Sequence, residues 1–454
     1  MKPDEKENKK ELIRKSLNYS ILDAIFYAVM VGFGESFFPA FAVFLKANNV
    51  QLGILGSLPQ TLGSFAQFFH NKLTGYFRSR KKFVCSSVLL MALMYIPITL
   101  VYYTGRSKIF HLILFVSLYW ILGMVINPAW TSWIGDLVAE GTRGAFFSRR
   151  NRLGGLASFM SIMAAGIILQ FFSRSSDNKF TGFAIIFALA LIARIFSFIF
   201  LTKKYEPEYE IRTKAPFSFL QYLKEARKRN HGLLILYLCS MNFCVFLSAP
   251  FFAPYMLKDL NLAYLNFTII NATIIISKYI FLPVWGNAAD RFGTKKILSL
   301  AGFLIPVSPL LWIISDKFIY LIIIQVFAGF AWAGFDTGSF NFILDSTSSQ
   351  KRSTCVAYYN VINGITILAG GLLGGLIVKY NSVFVTKYFL VFIISTVLRY
   401  LTSFIFIPKL KEVRQVENIA YPKLLLTLIT TMPSLGLTLK PAVFEKDSDK
   451  TGAP

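Results

Sequence analysis

Charge is what this chain has least of: only 15% of its 454 residues are Asp, Glu, Lys or Arg, against roughly 25% in soluble domains. Four cysteines exclude a disulfide scaffold, and 29 glycines exclude a collagen-like repeat. The three histidines, His70, His111 and His231, are scattered, and neither H-E-x-x-H nor G-x-S-x-G occurs, so hydrolase chemistry finds no footing. No Gly-Lys dipeptide is present to begin a phosphate-binding loop, which removes ATP as a direct energy source. The expectation is a protein that is not an enzyme and needs no cofactor or metal. What is present in excess is apolar surface, with 55% hydrophobic and 16% aromatic residues and a mean hydropathy of +0.56. That excludes disorder and points to lipid.

Twelve apolar segments stand out, near 20–45, 51–70, 83–104, 110–134, 153–172, 182–202, 232–256, 264–285, 297–315, 318–343, 356–378 and 388–408. Each approaches the ~20 residues that cross a hydrocarbon core. The sequence therefore predicts an all-α membrane protein with twelve transmembrane helices. With the N-terminus cytoplasmic, 35 of the 47 Lys and Arg fall inside, nine outside and three within spans. Basic residues resist translocation, so this bias puts both termini in the cytoplasm of a cell-membrane protein. It also accounts for the net charge of +24 without nucleic acid as a partner. Met1 to Asn18 is a charged leader without the core or cleavage site of a signal peptide. Cys85, Cys239 and Cys244 fall within spans and Cys355 in a cytoplasmic loop, leaving no extracellular pair to oxidise.

A connector at 203–231 divides the chain into a leader 1–19, a first half 20–202, a second half 232–408 and a tail 409–454. Within the connector, Phe217, Leu220 and Leu223 share one face of a basic helix that suits anionic membrane lipid. The halves repeat. At an offset of 209, Asp136-x6-Arg143-x7-Asn151-x3-Gly155 returns as Asp345-x6-Arg352-x7-Asn360-x3-Gly364. The run from Arg194 in span six returns from Arg399 in span twelve with one residue inserted, and Phe77, Arg80 and Lys81 correspond to Phe292, Lys295 and Lys296. Two pseudosymmetric six-helix halves are how many secondary transporters are built, with the solute held near the midplane between them.

The loop Gly286-x3-Asp290-Arg291-x-Gly293-x-Lys295-Lys296 resembles the signature loop of the major facilitator superfamily, and twelve spans with a central connector resemble that family's layout. In the first half Asn71, Gly75, Tyr76 and Arg78 stand where that pattern has Gly, Asp, Arg and Gly. The resemblance implies a cytoplasmic gate. Gly293 permits the tight turn, Asp290 accepts hydrogen bonds from the start of span eleven near Ala357, and Arg291 or Lys295 pairs with Asp345. Asp136 has Arg80 or Lys81 as its counterpart. Such pairs are expected to form with the outside open and to break with the inside open.

Ionisable residues within spans are few, and each costs at least ~2.5–3.5 kcal/mol at mid-bilayer unless paired or hydrated. Glu35 and Asp23 lie in span one, twelve residues apart, or about 18 Å of rise. They are either two sites or one site and one anchor. Asp336 corresponds through the 209 offset to Asn127, and both are expected to face a central cavity. Trp120, Trp130 and Trp133 surround Asn127, while Phe330, Trp332 and Phe335 surround Asp336, offering aromatic walls for a sugar ring, a cation or a drug-like solute. Lys278 can balance Asp336 or Glu35, bind an anion, or snorkel toward Trp285. Arg194 and Arg399 are read as structural, with Asp136 and Asp345 as partners. Gly370-x3-Gly374 and Gly371-x3-Gly375 let a second helix approach span eleven. Span five has Gly154, Gly155 and Gly166 but not the Gly-Pro ending found in many antiporters of the family.

The function these features imply is a secondary transporter of a small solute of unassigned identity, coupled to a proton or cation with Glu35 the first candidate. The alternative is a transporter-like sensor or scaffold without net transport.

Overall fold

Proline and glycine punctuate the helices, and the breaks they introduce decide where polar groups are needed. The computed structural model describes residues 3–138, 143–174, 176–208, 230–346, 349–384, 386–413, 416–417 and 419–430, without the side chains of 3–7, 9, 143–145, 148, 174, 176–177, 344 and 349–357. The connector face at Phe217, Leu220 and Leu223, the side chains of Cys355 and Ala357, and the tail beyond Thr430 lie outside the described residues. Span one runs through Pro3–Phe33 and, after a break at Gly34, Phe38–Phe44. Span two is Asn49–Ala66, span three Arg80–Leu93 and Tyr95–Leu100, and span four Lys108–Val125 and Asn127–Leu137. Span five is Arg143–Phe171 and span six Ser176–Thr202. Span seven begins at Asn230–Ser248, span eight is Tyr264–Phe292, and span nine is Thr294–Leu304 and Val307–Leu311. Spans ten to twelve are Phe318–Ser346, Ser349–Tyr380 and Phe389–Phe406, followed by a short helix Tyr421–Thr430.

Eleven of these segments are long and apolar enough to cross a membrane. Span two falls short because Gln51, Ser57, Gln60, Thr61 and Ser64 interrupt it. Its polarity has a structural cause: Thr61 Oγ1 donates to Gly364 O of span eleven at 2.7 Å, across the seam between the halves. The two glycine stripes of span eleven serve different neighbours. Gly371 and Gly375 lie against Ser57 and Val50 of span two, whereas Gly370 and Gly374 lie against Phe243 and Leu247 of span seven. Span five packs on span eight in the same manner, with Gly166 against Thr268 and Gly155 against the Tyr279 ring.

Arg399 illustrates the cost of the proline breaks. Pro306 and Pro309 in span nine lack N–H groups, so the carbonyls four residues earlier lose their i+4 donors, and Ile305 O turns to the Ser308 N–H at 3.3 Å. Ser403 Oγ donates to the first, Gly302 O, at 2.9 Å, and Arg399 NH1 to the second, Ile305 O, at 3.4 Å. Arg399 NH2 also reaches Ser248 Oγ at 2.8 Å, where span seven breaks before Pro250. Its role is thus structural, but the expected pairing with Asp345 is not what holds it.

Call the end that carries the start of span one and the short helix Tyr421–Thr430 the basic end. At the opposite end the halves are joined by one apolar cluster that includes Phe37, Phe41 and Phe183 of the first half and Phe251, Tyr255 and Phe267 of the second. Polar contacts reinforce it: Lys258 Nζ donates to Ala47 O at 2.7 Å and Tyr388 OH to Asn49 Oδ1 at 3.3 Å. Toward the basic end the core divides into clusters confined to one half each. The cavity lies on that side of the seal.

Candidate functional site

Glu35 sits at the break in span one, on a 3-10 turn that follows Gly34. Gly34 is required there because a Cβ would overlap the Tyr95 ring. The Tyr119 hydroxyl donates to Glu35 Oε2 at 3.0 Å, with Tyr95 stacked edge-on beside it. About three turns closer to the basic end, Asp23 accepts a bond from Ser197 Oγ at 2.7 Å and faces Arg150 NH2 at 3.8 Å. Arg194, from span six, donates to the same Ser197 at 3.1 Å, lies over the Tyr27 ring at 4.8 Å, and stands within electrostatic reach of Glu35. Arg150, from span five, lies over Trp130 at 4.6 Å.

These groups line one cavity of about 240 Å³ in the first half, reaching from Val84 and Leu201 up to Glu35. Glu35 and Asp23 therefore line a single cavity, although neither touches the other. Asn127, Trp120 and Trp130 line it as expected. Trp133 does not: it is fully buried and donates Nε1 to Tyr205 O at 2.9 Å. In the second half Lys278 pairs with Asp336, which resolves the alternatives left open for that lysine. The rings near Asp336 are packing rather than walls, because Phe330 is buried against Trp285 and Phe335 against Tyr237. Arg194 does not pair with Asp136.

At the basic end the gate residues assemble differently from the expectation. Arg80 is buried and binds Asp136 Oδ2 at 2.6 Å and Ser132 Oγ at 2.9 Å. Lys81 instead donates Nζ to Lys204 O at 2.8 Å. In the second half Arg291 pairs with Glu417 at 2.8 Å, not with Asp345, and Lys295 donates its backbone N–H to Glu412 Oε2 at 2.9 Å. Asp345 accepts from Thr294 Oγ1 at 3.2 Å. Gly293 has φ +95°, and a Cβ there would strike Glu412, so glycine is required twice over. Arg78 holds the corresponding left-handed position in the first half, at φ 52°. Asp290 is exposed on the last turn of span eight; its expected partner at the start of span eleven lies outside the described side chains.

Sequence reasoning missed Arg150, Tyr27, Tyr119, Glu206, Glu412 and Glu417. Glu206 is the first-half counterpart of Glu412: Ser79 Oγ donates to it at 2.6 Å and the Lys81 N–H at 3.0 Å, as Thr294 Oγ1 and the Lys295 N–H do to Glu412. A carboxylate at the helix N-terminus caps span three and span nine alike.

Twelve helices in two six-helix bundles, with a polar cavity among them, define a polytopic membrane protein of transporter architecture. The model of the Major Facilitator Superfamily matches residues 24–277 and 245–443, and the chain belongs to that family. Solved structures of similar fold include a mutant of the nucleoside transporter NupG, at 16% identity, TM-score 0.65, covering 88% of this chain and 100% of that one. A partially occluded inward-open xylose transporter, XylE from E. coli, aligns at 14% identity and TM-score 0.61, over 90% of this chain and 100% of its own. A bacterial homologue of the iron transporter ferroportin, in an inward-facing state, aligns at 13% and TM-score 0.64, over 88% and 98%. Among curated relatives, the quinolone resistance protein NorA of Staphylococcus aureus is 26% identical over 128 residues, 28% of this chain. The matched stretch spans about a third of NorA's length, 33%.

Proposed function

We propose that this chain is a secondary active transporter of the cell membrane, with both termini cytoplasmic, that moves a small organic solute by alternating access and couples it to a proton carried on Glu35. The observation that carries the reading is the Glu35–Tyr119 contact in a cavity whose other acid, Asp23, is already engaged by Ser197 and Arg150. An acid in such a site is cheapest when protonated and becomes tolerable as a carboxylate when Arg194 approaches it. One carboxylate with one hydroxyl donor suits a proton; a metal cation wants several oxygens. The sealed far end and a cavity on the basic side correspond to the inward-facing member of the cycle. The halves 20–202 and 232–408 are the rocking bodies, and the Lys278–Asp336 pair belongs to the second body.

A thermal-shift screen of the purified chain against sugars, nucleosides, amino acids and aromatic carboxylates supplies a solute, since a ligand of the folded state raises its apparent stability. In proteoliposomes with an imposed pH gradient, Glu35→Gln is then expected to abolish accumulation of that solute while leaving its exchange measurable. Accumulation that still follows the pH gradient in Glu35→Gln removes Glu35 from the coupling.

A further inference from the structure

A second cavity of about 200 Å³ lies beside the first, between Ala24 and Val31 of span one, Asn151 to Ser158 of span five, and Tyr279 of span eight. Tyr27 and Arg150 line both cavities, so the two meet at that pair. Neither space alone reaches the ~300 Å³ at which small-molecule sites begin; together they do. The first lies wholly within the first half. The second is bordered by a ring from the other half, because Tyr279 lies against Gly155 across the seam.

Arg150 is built to hold an anion at the junction. Its plane is fixed over Trp130, its Nε donates to Ser20 O at 3.3 Å, and its ion pair with Asp23 is long, at 3.8 Å, which leaves the terminal N–H groups without a hydrogen-bonded carboxylate. A guanidinium so oriented presents paired N–H groups that match a carboxylate. Arg194 adds a second guanidinium to the lining, held by Ser197 Oγ and the Tyr27 ring with no carboxylate paired to it among the described residues, which disfavours a cation.

We propose that the substrate is an elongated amphipathic anion that occupies both cavities: its acidic group on Arg150, one end against Trp130 and Trp120, and the other across the seam against Tyr279. Only the second cavity includes a residue of each half, so only its occupant distinguishes the two arrangements of the halves. A ligand confined to the first cavity has equal affinity for both and shifts nothing. This rests on the transport reading for its last step alone, because binding in detergent requires no gradient.

Isothermal titration of the purified full chain tests it with three probes: benzoate, 6-phenylhexanoate and the matched cation 6-phenylhexylamine. The wild type is expected to bind 6-phenylhexanoate at least ten-fold more tightly than benzoate and than the amine. Ser158→Leu, which fills the second cavity, is expected to lower affinity for 6-phenylhexanoate at least ten-fold and for benzoate less than two-fold; retained benzoate binding reports a folded site. Tyr279→Ala is expected to act in the same direction by several-fold, and Arg150→Lys to weaken both acids. Absence of acid binding to the wild type, tighter binding of the amine, or equal losses for long and short acids in Ser158→Leu each overturns the proposal. Wild-type protein that binds the acids in this order yet accumulates none of them in proteoliposomes under a pH gradient overturns the transport reading and not this one.

Discussion

Lys204, two residues beyond the end of span six, is the most open to test among the buried charges. Its side chain is 0% accessible, and Nζ has no hydrogen-bond acceptor among the described residues. It rests over Trp133 at 4.4 Å and Trp130 at 5.6 Å. Burial depresses its pKa from 10.5 to about 8, against the pull of Asp23. Such a depressed base costs stability in its charged form. The cost is absent above pH 10.5, grows as pH falls toward 8, and is complete below that. At ~1.4 kcal/mol per unit it amounts to roughly 3 kcal/mol at neutral pH and less than half of that at pH 9.5. The two indole faces return up to about 2 kcal/mol of cation–π attraction. Lys204→Met keeps the length, removes the charge and leaves the Lys204 carbonyl for Lys81. It is expected to be more stable than wild type by about 1–3 kcal/mol at pH 7, with the advantage shrinking at pH 9.5. Thermal unfolding in detergent at the two pH values measures both. A variant less stable than wild type at pH 7, or an advantage that widens with pH, refutes the reasoning.

Arg399→Ala removes the donor that reaches Ile305 O and Ser248 Oγ, leaves its buried site empty, and is expected to destabilise by about 3 kcal/mol; Arg399→Lys, with fewer donors, recovers part of it in the same unfolding assay. Gly374→Val places a side chain on Leu247 O of span seven and is expected to lower the unfolding midpoint more than Gly135→Val, where a Cβ meets nothing within 4 Å.

The spans, the repeat and the glycine stripes were legible because each is written in a short window: apolar length, a fixed offset, a period of four. Arg80–Asp136 and Lys278–Asp336 were legible because few charges competed for those places. Arg150 was not. It stands in the run Arg149-Arg150-Asn151-Arg152, which satisfies the topological rule so fully that no further role is called for, yet helical rotation turns one of its three bases toward the cavity. Glu206 and Glu412 lie in connectors, 125 and 117 positions from the N–H groups they accept, a distance no local pattern spans. A signal was available in the spacing: Glu206 follows Arg194 by twelve residues and Glu412 follows Arg399 by thirteen, the same single insertion that marks the echo between spans six and twelve.

That spacing also changes what the basic-end charges do. Arg80–Asp136 and Thr294–Asp345 each join residues of one half, Ser79–Glu206 and Arg291–Glu417 each tie a half to the segment that follows it, and all are intact while the far end is sealed. Bonds within a body do not change when that body rotates, so these four brace each half whichever way it is turned. The differential energy must come from contacts that cross a seam. Along spans two and eleven these run from Val50–Gly375 at the far end to the Asn360 amide on Gln67 at 3.0 Å and the Phe68–Tyr358 rings near the basic end. Seventeen residues of span two, about 25 Å of helix, are thereby tied to the other half. Across spans five and eight the tight contacts sit nearer the far end, at Gly166–Thr268, and the cleft at Arg150 and Tyr279 opens beside them. A rocking of the halves that keeps the longer tie turns about spans two and eleven, and the seam that opens and closes most is then the one where Tyr279 lies on Gly155.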